Sequence, residues 1–153
     1  MMFIVVVLLV ILQTCLSEVI NFQRIGAIPL LKTYDAALHN FNLFNSTLSN
    51  LRPGDTFFIP NTSFTLIGGI TARDLNNITF LIDGTLLFSD DRTTWPTNGN
   101  GDVLECIYLE NISNIVFTSS GKGTLDGRYK ILTYLFMKTS SFGFVRIFVN
   151  ISF

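Results

Sequence analysis

The hydrophobic pattern changes character along the chain. Phe3 to Leu12 is an unbroken apolar run, which a polar step and the small-residue pattern Cys15-Leu16-Ser17 follow. Over residues 33–48, TYDAALHNFNLFNSTL places Tyr34, Ala37, Leu38, Phe41, Phe44 and Leu48 near helical spacing, with Thr33 as N-cap. That spacing predicts one short amphipathic helix. NLRPGDTFFIP then supplies a Pro-Gly turn, and from Thr56 to Gly127 the chain breaks into short alternating runs separated by Gly, Asn and Asp. Such runs predict strands joined by turns. SDDRTTWPTNGNGD is too polar and too rich in Gly and Pro for a strand, and it predicts a loop projecting from one edge.

Within the strand region the sequence repeats itself. Asn77-Ile78-Thr79-Phe80 recurs 37 residues later as Asn114-Ile115-Val116-Phe117, and after two extra residues Gly84-Thr85-Leu86 recurs as Gly123-Thr124-Leu125. Two short strands recurring every few tens of residues are what a β-solenoid requires, each coil stacking about 4.8 Å above the last. Alternation then sorts Ile78, Phe80 and Ile82 inward and Thr79 and Asp83 outward, with Ile115 and Phe117 beside Ile78 and Phe80. The helix is expected to cap the open edge of the first coil, and nothing comparable protects the other end. Asn77 and Asn114, at equivalent positions, suit an interior amide ladder.

The apolar run at the start reads as a secretory signal peptide over residues 1–17, cleaved after Ser17, because it is too short to span a bilayer. No stable membrane insertion is expected after cleavage. Residues 18–153 are expected to form a single domain. Charged residues make up only 14% and the net charge is −1, so no basic stripe is available for a phosphate backbone, and nucleic acid is not an expected partner. Cleavage leaves Cys106 as the single cysteine, which excludes an internal disulfide framework. Cys106 stands in the apolar alternation VLECI and reads as a small buried hydrophobe, with a bridge to a partner as the alternative. Asn45, Asn61, Asn77, Asn111 and Asn150 each begin an Asn-x-Ser/Thr sequon, which suggests N-glycosylation and supports a secreted, extracellular location such as a cell wall. A glycan on Asn77 and an interior ladder at Asn77 exclude each other. No metal-ligand or cofactor motif is present, so none is expected.

The order IGAIP, YDAALHN, LSNLRPGDTFFIPNTSFTL, NNITFLIDGTLLFSDD with Trp95, and GDVLECIYLENISNIVFTSSGKGTLDG resembles the N-terminal third of polygalacturonases, glycoside hydrolase family 28. The resemblance runs from about Val19 to Gly127, and PGDTFFIP, IDGTLLFSDD and GTLDG carry most of it. It implies an all-β right-handed parallel β-helix, incomplete here, with the coils over residues 56–127 behind a capping helix at 33–48. It also implies secreted hydrolysis of α-1,4-galacturonan with inversion, so that pectin-type polysaccharide is the implied partner. That chemistry needs a general acid and a general base about 6.5 to 9.5 Å apart.

The family places those carboxyls in Asn-x-Asp and Asp-Asp motifs on later coils, which Gly-His-Gly and Arg-x-Lys segments follow. The mature chain's one Asn-x-Asp, Asn100-Gly101-Asp102, falls in the polar loop SDDRTTWPTNGNGD rather than on a later coil, and its sole histidine, His39, stands in the helix as a surface or satisfied residue. Asp90-Asp91 matches the family's early loop rather than its catalytic pair, and neighbouring residues on an extended chain point to opposite sides. Asp126 reads as a turn carboxylate. Arg128-Tyr129-Lys130 has the substrate-clamp spacing but stands directly after GTLDG, ahead of any catalytic coil. No catalytic residue is therefore assigned.

Past Gly127 the resemblance stops. The tail, residues 128–153, reads as a divergent segment from a truncated, frameshifted or intron-retaining gene, with VRIFVNISF able to form one strand. The expectation is a secreted polygalacturonase-like chain without turnover of its own. The alternative is a non-catalytic secreted β-helix that binds polysaccharide or is a wall or surface component.

Overall fold

The computed structural model describes residues 17–128, 143–147 and 151–152. The short first strand β1, Val19–Asn21, precedes the helix α1, Tyr34–Leu48. After it come β2 (Thr56–Ile59), β3 (Ser63–Leu66), β4 (Ile70–Arg73), β5 (Asn76–Ile82) and β6 (Thr85–Phe88). A 3-10 turn at Arg92–Thr94 leads to β7 (Ile107–Thr118) and β8 (Thr124–Asp126), and the tail adds β9 (Gly143–Ile147) and β10 (Ile151–Ser152).

The strands form two sheets. In the first, β1, β2, β5, β7 and β4 pair in parallel, with β4 and β5 lying end to end along the long strand β7. In the second, β3, β6 and β8 pair in parallel. Strand β9 joins β7 antiparallel, and β10 joins β8 antiparallel.

The architecture corrects the expectation of an all-β right-handed parallel β-helix. It is a mixed α/β arrangement of two parallel sheets and one helix. The helix is no lid laid over a finished stack, because Ala37, Phe44 and Leu48 belong to the same buried cluster as Phe57, Phe64 and Phe80. Phe22, just past β1, meets Phe44, Phe57 and Phe64 edge-to-face at 5.5, 5.6 and 5.0 Å, a geometry aromatic quadrupoles favour.

Local chemistry explains the helix. Thr33 is extended, and its side-chain oxygen accepts from the Ala36 N–H at 3.3 Å, while Asp35 sits in the first turn, where the helix dipole favours an acid. The helix also satisfies sheet edges. Asn40 is fully buried: its Nδ2 donates to the carbonyls of Ile28 and Thr65, and its Oδ1 accepts from the Ile28 N–H at 2.7 Å. Asn45 Oδ1 accepts from the Thr71 N–H of β4 at 3.0 Å. Edge groups of β3 and β4 that would otherwise be unpaired thus find partners on α1.

The repeat appears in the register. Ile78, Thr79 and Phe80 pair with Ile115, Val116 and Phe117, displaced by 37 positions, and Phe80 stacks on Phe117 at 4.7 Å with 8° between the rings. Ile78, Phe80 and Ile82 are buried, as alternation requires. A second displacement, of 23 positions, pairs Thr56-Phe57-Phe58-Ile59 with Thr79-Phe80-Leu81-Ile82. The difference between the two displacements is taken up by the segment after β6. Gly84 and Gly123 occupy matching corners, where a Cβ would collide with the carbonyls of Pro60 and Ile82 respectively. Only glycine lets the backbones approach that closely.

Part of the far edge is covered, contrary to expectation. β9 pairs Ile147, Arg146 and Val145 with Ile107, Tyr108 and Leu109, and β10 pairs with Leu125 and Thr124. Tail backbone therefore covers the first half of β7 and part of β8.

Candidate functional site

The residues that sequence singled out are dispersed, and most are engaged in holding turns. Asp91 Oδ1 accepts from the Thr93 N–H at 3.1 Å and so caps the 3-10 turn, while exposed Asp90 pairs with Arg128 at 3.1 Å. They do not share a site. Asp126 Oδ1 accepts from the Arg128 N–H at 2.9 Å, the turn role expected of it, and Lys130 lies outside the described residues. His39 is exposed on α1 with its Nε2 3.0 Å from the Gly26 carbonyl.

Three further carboxylates are also engaged. Asp83 Oδ1 accepts from the Ser120 N–H at 2.7 Å, and this bond holds its carboxyl below the usual range. Glu110 pairs with Arg73 at 2.9 Å across β7 and β4. Asp74 accepts from the Asn111 amide. Among the described residues no group of three or more His, Cys, Asp or Glu side chains is arranged to hold a metal ion.

Cys106 is buried and free, and burial pushes its thiol up to about 12. A thiol in that environment is a core group rather than a nucleophile. Trp95 is also buried. It packs against Phe88 at 6.2 Å, carries the Arg92 guanidinium over its face at 5.1 Å, and fills the space that any side chain at Gly68 would need. Part of the expected projecting loop is therefore folded back onto the body, closed by a Thr97–Val103 bridge.

The sequons differ in setting. Asn61 is exposed in the turn between β2 and β3. Asn77 is exposed, with φ 55°, at a corner stacked between Gly54 at 100° and Asn114 at 53°. The interior amide ladder is thus corrected: Asn77 and Asn114 face outward because Asn, like Gly, tolerates the left-handed conformation the corner demands. The polar contacts there run instead from Ser113 and Asn114 to Asn76 Oδ1, at 2.9 and 3.4 Å. Asn45 lies in α1, where its Oδ1 is held by Thr71. The amide nitrogen of Asn111 is engaged with Asp74, and Asn150 lies outside the described residues.

One open cleft of about 350 Å³ lies between β1 and the C-terminal end of α1, with Glu18, Ile20, Leu43, Asn50, Arg52 and Asp55 on its walls. Sequence reasoning missed it. Asp55 is only 4% exposed; its Oδ1 accepts from the Glu18 N–H at 2.9 Å and its Oδ2 from the Arg52 N–H at 2.8 Å. The contact to Glu18 spans 37 positions, and only the neighbouring PGD turn hinted that Asp55 had a structural task.

No helix among the described residues is long and apolar enough to cross a membrane. No family model, curated protein or solved structure matches the chain.

Proposed function

We propose that this chain is a secreted, polygalacturonase-like protein that does not cleave galacturonan by itself. The observation that carries this reading is the engagement of seven of its carboxylates. Inverting hydrolysis needs one carboxylic acid and one carboxylate facing each other across the scissile bond, with room for a water between them. Here Asp91 and Asp126 close turns, Asp83 binds the main-chain N–H of Ser120 across the strands, Asp55 binds two main-chain N–H groups, and Asp74, Asp90 and Glu110 are paired with side chains. The sequence resemblance supports the family, and the leader together with the exposed sequons at Asn61 and Asn77 supports secretion.

The experiment is incubation of the purified protein with polygalacturonate and measurement of reducing ends. Release no greater than from a heat-treated sample is expected. Release proportional to protein concentration would overturn the non-cleaving reading.

A second reading, a secreted polysaccharide-binding or wall component, is supported by the outer side of the first sheet. There Val19, Thr56, Thr79 and Val116 form one row, and Asn21, Phe58, Leu81 and Thr118 a second, with no charge in either. Hydroxyl and apolar groups of this kind suit a sugar surface. Retention of the protein on immobilised polygalacturonate would establish binding, and passage without retardation would remove it.

A further inference from the structure

We infer that the amino group released at Glu18 when the leader is removed is the counter-ion of Asp55, so that processing itself locks the first strand onto the sheet. This rests on the secretion reading, specifically on cleavage between Ser17 and Glu18.

The geometry points to it from two directions. First, Asp55 is a buried carboxylate whose oxygens receive, among the described residues, two main-chain N–H groups, from Glu18 and Arg52. Among the described residues no lysine or arginine side chain is ion-paired with it. Buried carboxylates are ordinarily paired with a cation, because two neutral donors recover only part of the lost hydration. Second, the atom 2.9 Å from Asp55 Oδ1 is the nitrogen of Glu18, the very atom that hydrolysis at the expected leader boundary would convert from a neutral amide into an ammonium.

The covalent step is an ordinary peptide hydrolysis by a leader peptidase. Water adds across the Ser17–Glu18 bond, Ser17 departs with the new carboxylate, and the Glu18 nitrogen takes up protons to become the α-ammonium. No redox partner is needed. The hydrogen bond already present then becomes charge-assisted, and such bonds are roughly twice as strong as neutral ones. The Glu18 carbonyl meanwhile accepts from the Thr56 N–H at 2.8 Å, and Val19 and Ile20 pair with Thr56 and Phe57. Anchoring the Glu18 nitrogen therefore anchors β1, the edge strand of the first sheet. The charged groups facing the new amine are Asp55, Arg52 and the Glu18 side chain itself, since every other residue lining this cleft, on α1 and beyond it, is uncharged.

Mass spectrometry of the protein secreted by expressing cells tests the processing alone: Glu18 is the expected first residue, and any other N-terminus overturns the cleavage on which the inference rests. The ion pair is tested separately on chain released by a site-specific protease so that it begins at Glu18. Its melting temperature is compared with that of a form retaining Ser17 and of an Nα-acetylated form, each with Asp55 and with Asp55→Asn. Retaining Ser17 or acetylating Glu18 is expected to lower the melting temperature by roughly 4 °C in the Asp55 protein and to change it little in D55N. Equal losses in both backgrounds, or no loss in either, would overturn the ion pair. If D55N does not fold, a nitrogen-15 NMR titration of the α-amino group decides. A midpoint above the usual range of about 7.7 to 8.0 supports the pair, and a midpoint within that range overturns it.

Discussion

The two ends of the paired strands are built from the same repeat and packed differently. At the helix end Phe22, Phe44, Phe57 and Phe64 are fully buried and meet edge-to-face, with Phe44 and Phe57 4.8 Å apart, while Asn40 closes the sheet edge from inside the helix. At the far end Phe80 and Phe117 stack in parallel at 4.7 Å, Ile115 and Phe117 are half-buried, and Val116 is 50% exposed. One strand motif thus contributes very different amounts of stability according to what covers it. The helix supplies side chains to the core at one end. At the other, antiparallel tail strands supply backbone partners to the edge.

The strongest way to break this comparison is paired truncation. Phe57→Ala is expected to cost about 3 to 5 kcal/mol, because it empties the centre of the aromatic cluster. Phe117→Ala, at the half-buried end, is expected to cost about 1 to 2 kcal/mol. Urea unfolding of both variants measures the difference, and equal losses would show that the ends are equivalent.

Next in size is the edge amide. Asn40→Ala leaves the Ile28 N–H and the Ile28 and Thr65 carbonyls without their partner, an expected loss of about 2 to 3 kcal/mol. Asn114→Gly, which keeps the left-handed conformation at the exposed corner of the far end, should stay within about 0.5 kcal/mol of the parent. Denaturant midpoints would sharpen the contrast, which disappears if the two substitutions cost alike.

The thiol of Cys106 reports on the β7 side. Its folded-state pKa is raised from 9.0 to about 12, so the stability due to its neutral burial is complete below the unfolded value and is lost as pH rises through that window. Cys106→Ala should flatten the alkaline decline in denaturation midpoint. In the parent near neutral pH, a thiol reagent should label Cys106 only as fast as the chain opens. Rapid labelling of the native protein would contradict the burial.

The smallest expected effect is that of Asp83. Its carboxyl is lowered by the Ser120 main-chain N–H, so its contribution is present above the ordinary value of 3.8 and fades as pH falls through the lower folded value. Acid denaturation of Asp83→Asn should be less steep over that range. Identical acid limbs in the two proteins would remove the bond from the account of how β7 joins β5.

The 37-residue repeat was legible because Asn-Ile-x-Phe recurs nearly unchanged and both copies turn on glycine. The 23-residue repeat is also present, as TFFI against TFLI, but it is four residues long and carries no matching glycine turn to mark it. β1 escaped because three residues carry too little periodicity to mark a strand. The fold class was misjudged for a different reason. Helical spacing in residues 33–48 was evident, but nothing local says whether an apolar helix face rests on an edge or enters the common core.

What the sequence determined alone is the short-range structure. The Thr33 cap, the alternation of Ile78, Phe80 and Ile82 and the left-handed corners at Asn77 and Asn114 all depend on residues within a few positions, or on a repeat of them. Tertiary structure decided the rest: Asn40 against Thr65, Trp95 against Gly68, β9 along β7, and Asp55 beneath the nitrogen of Glu18. Each joins distant segments whose meeting depends on the burial gained by the whole core exceeding the entropy lost in closing the chain between them. That balance belongs to the assembled fold, not to any stretch of it.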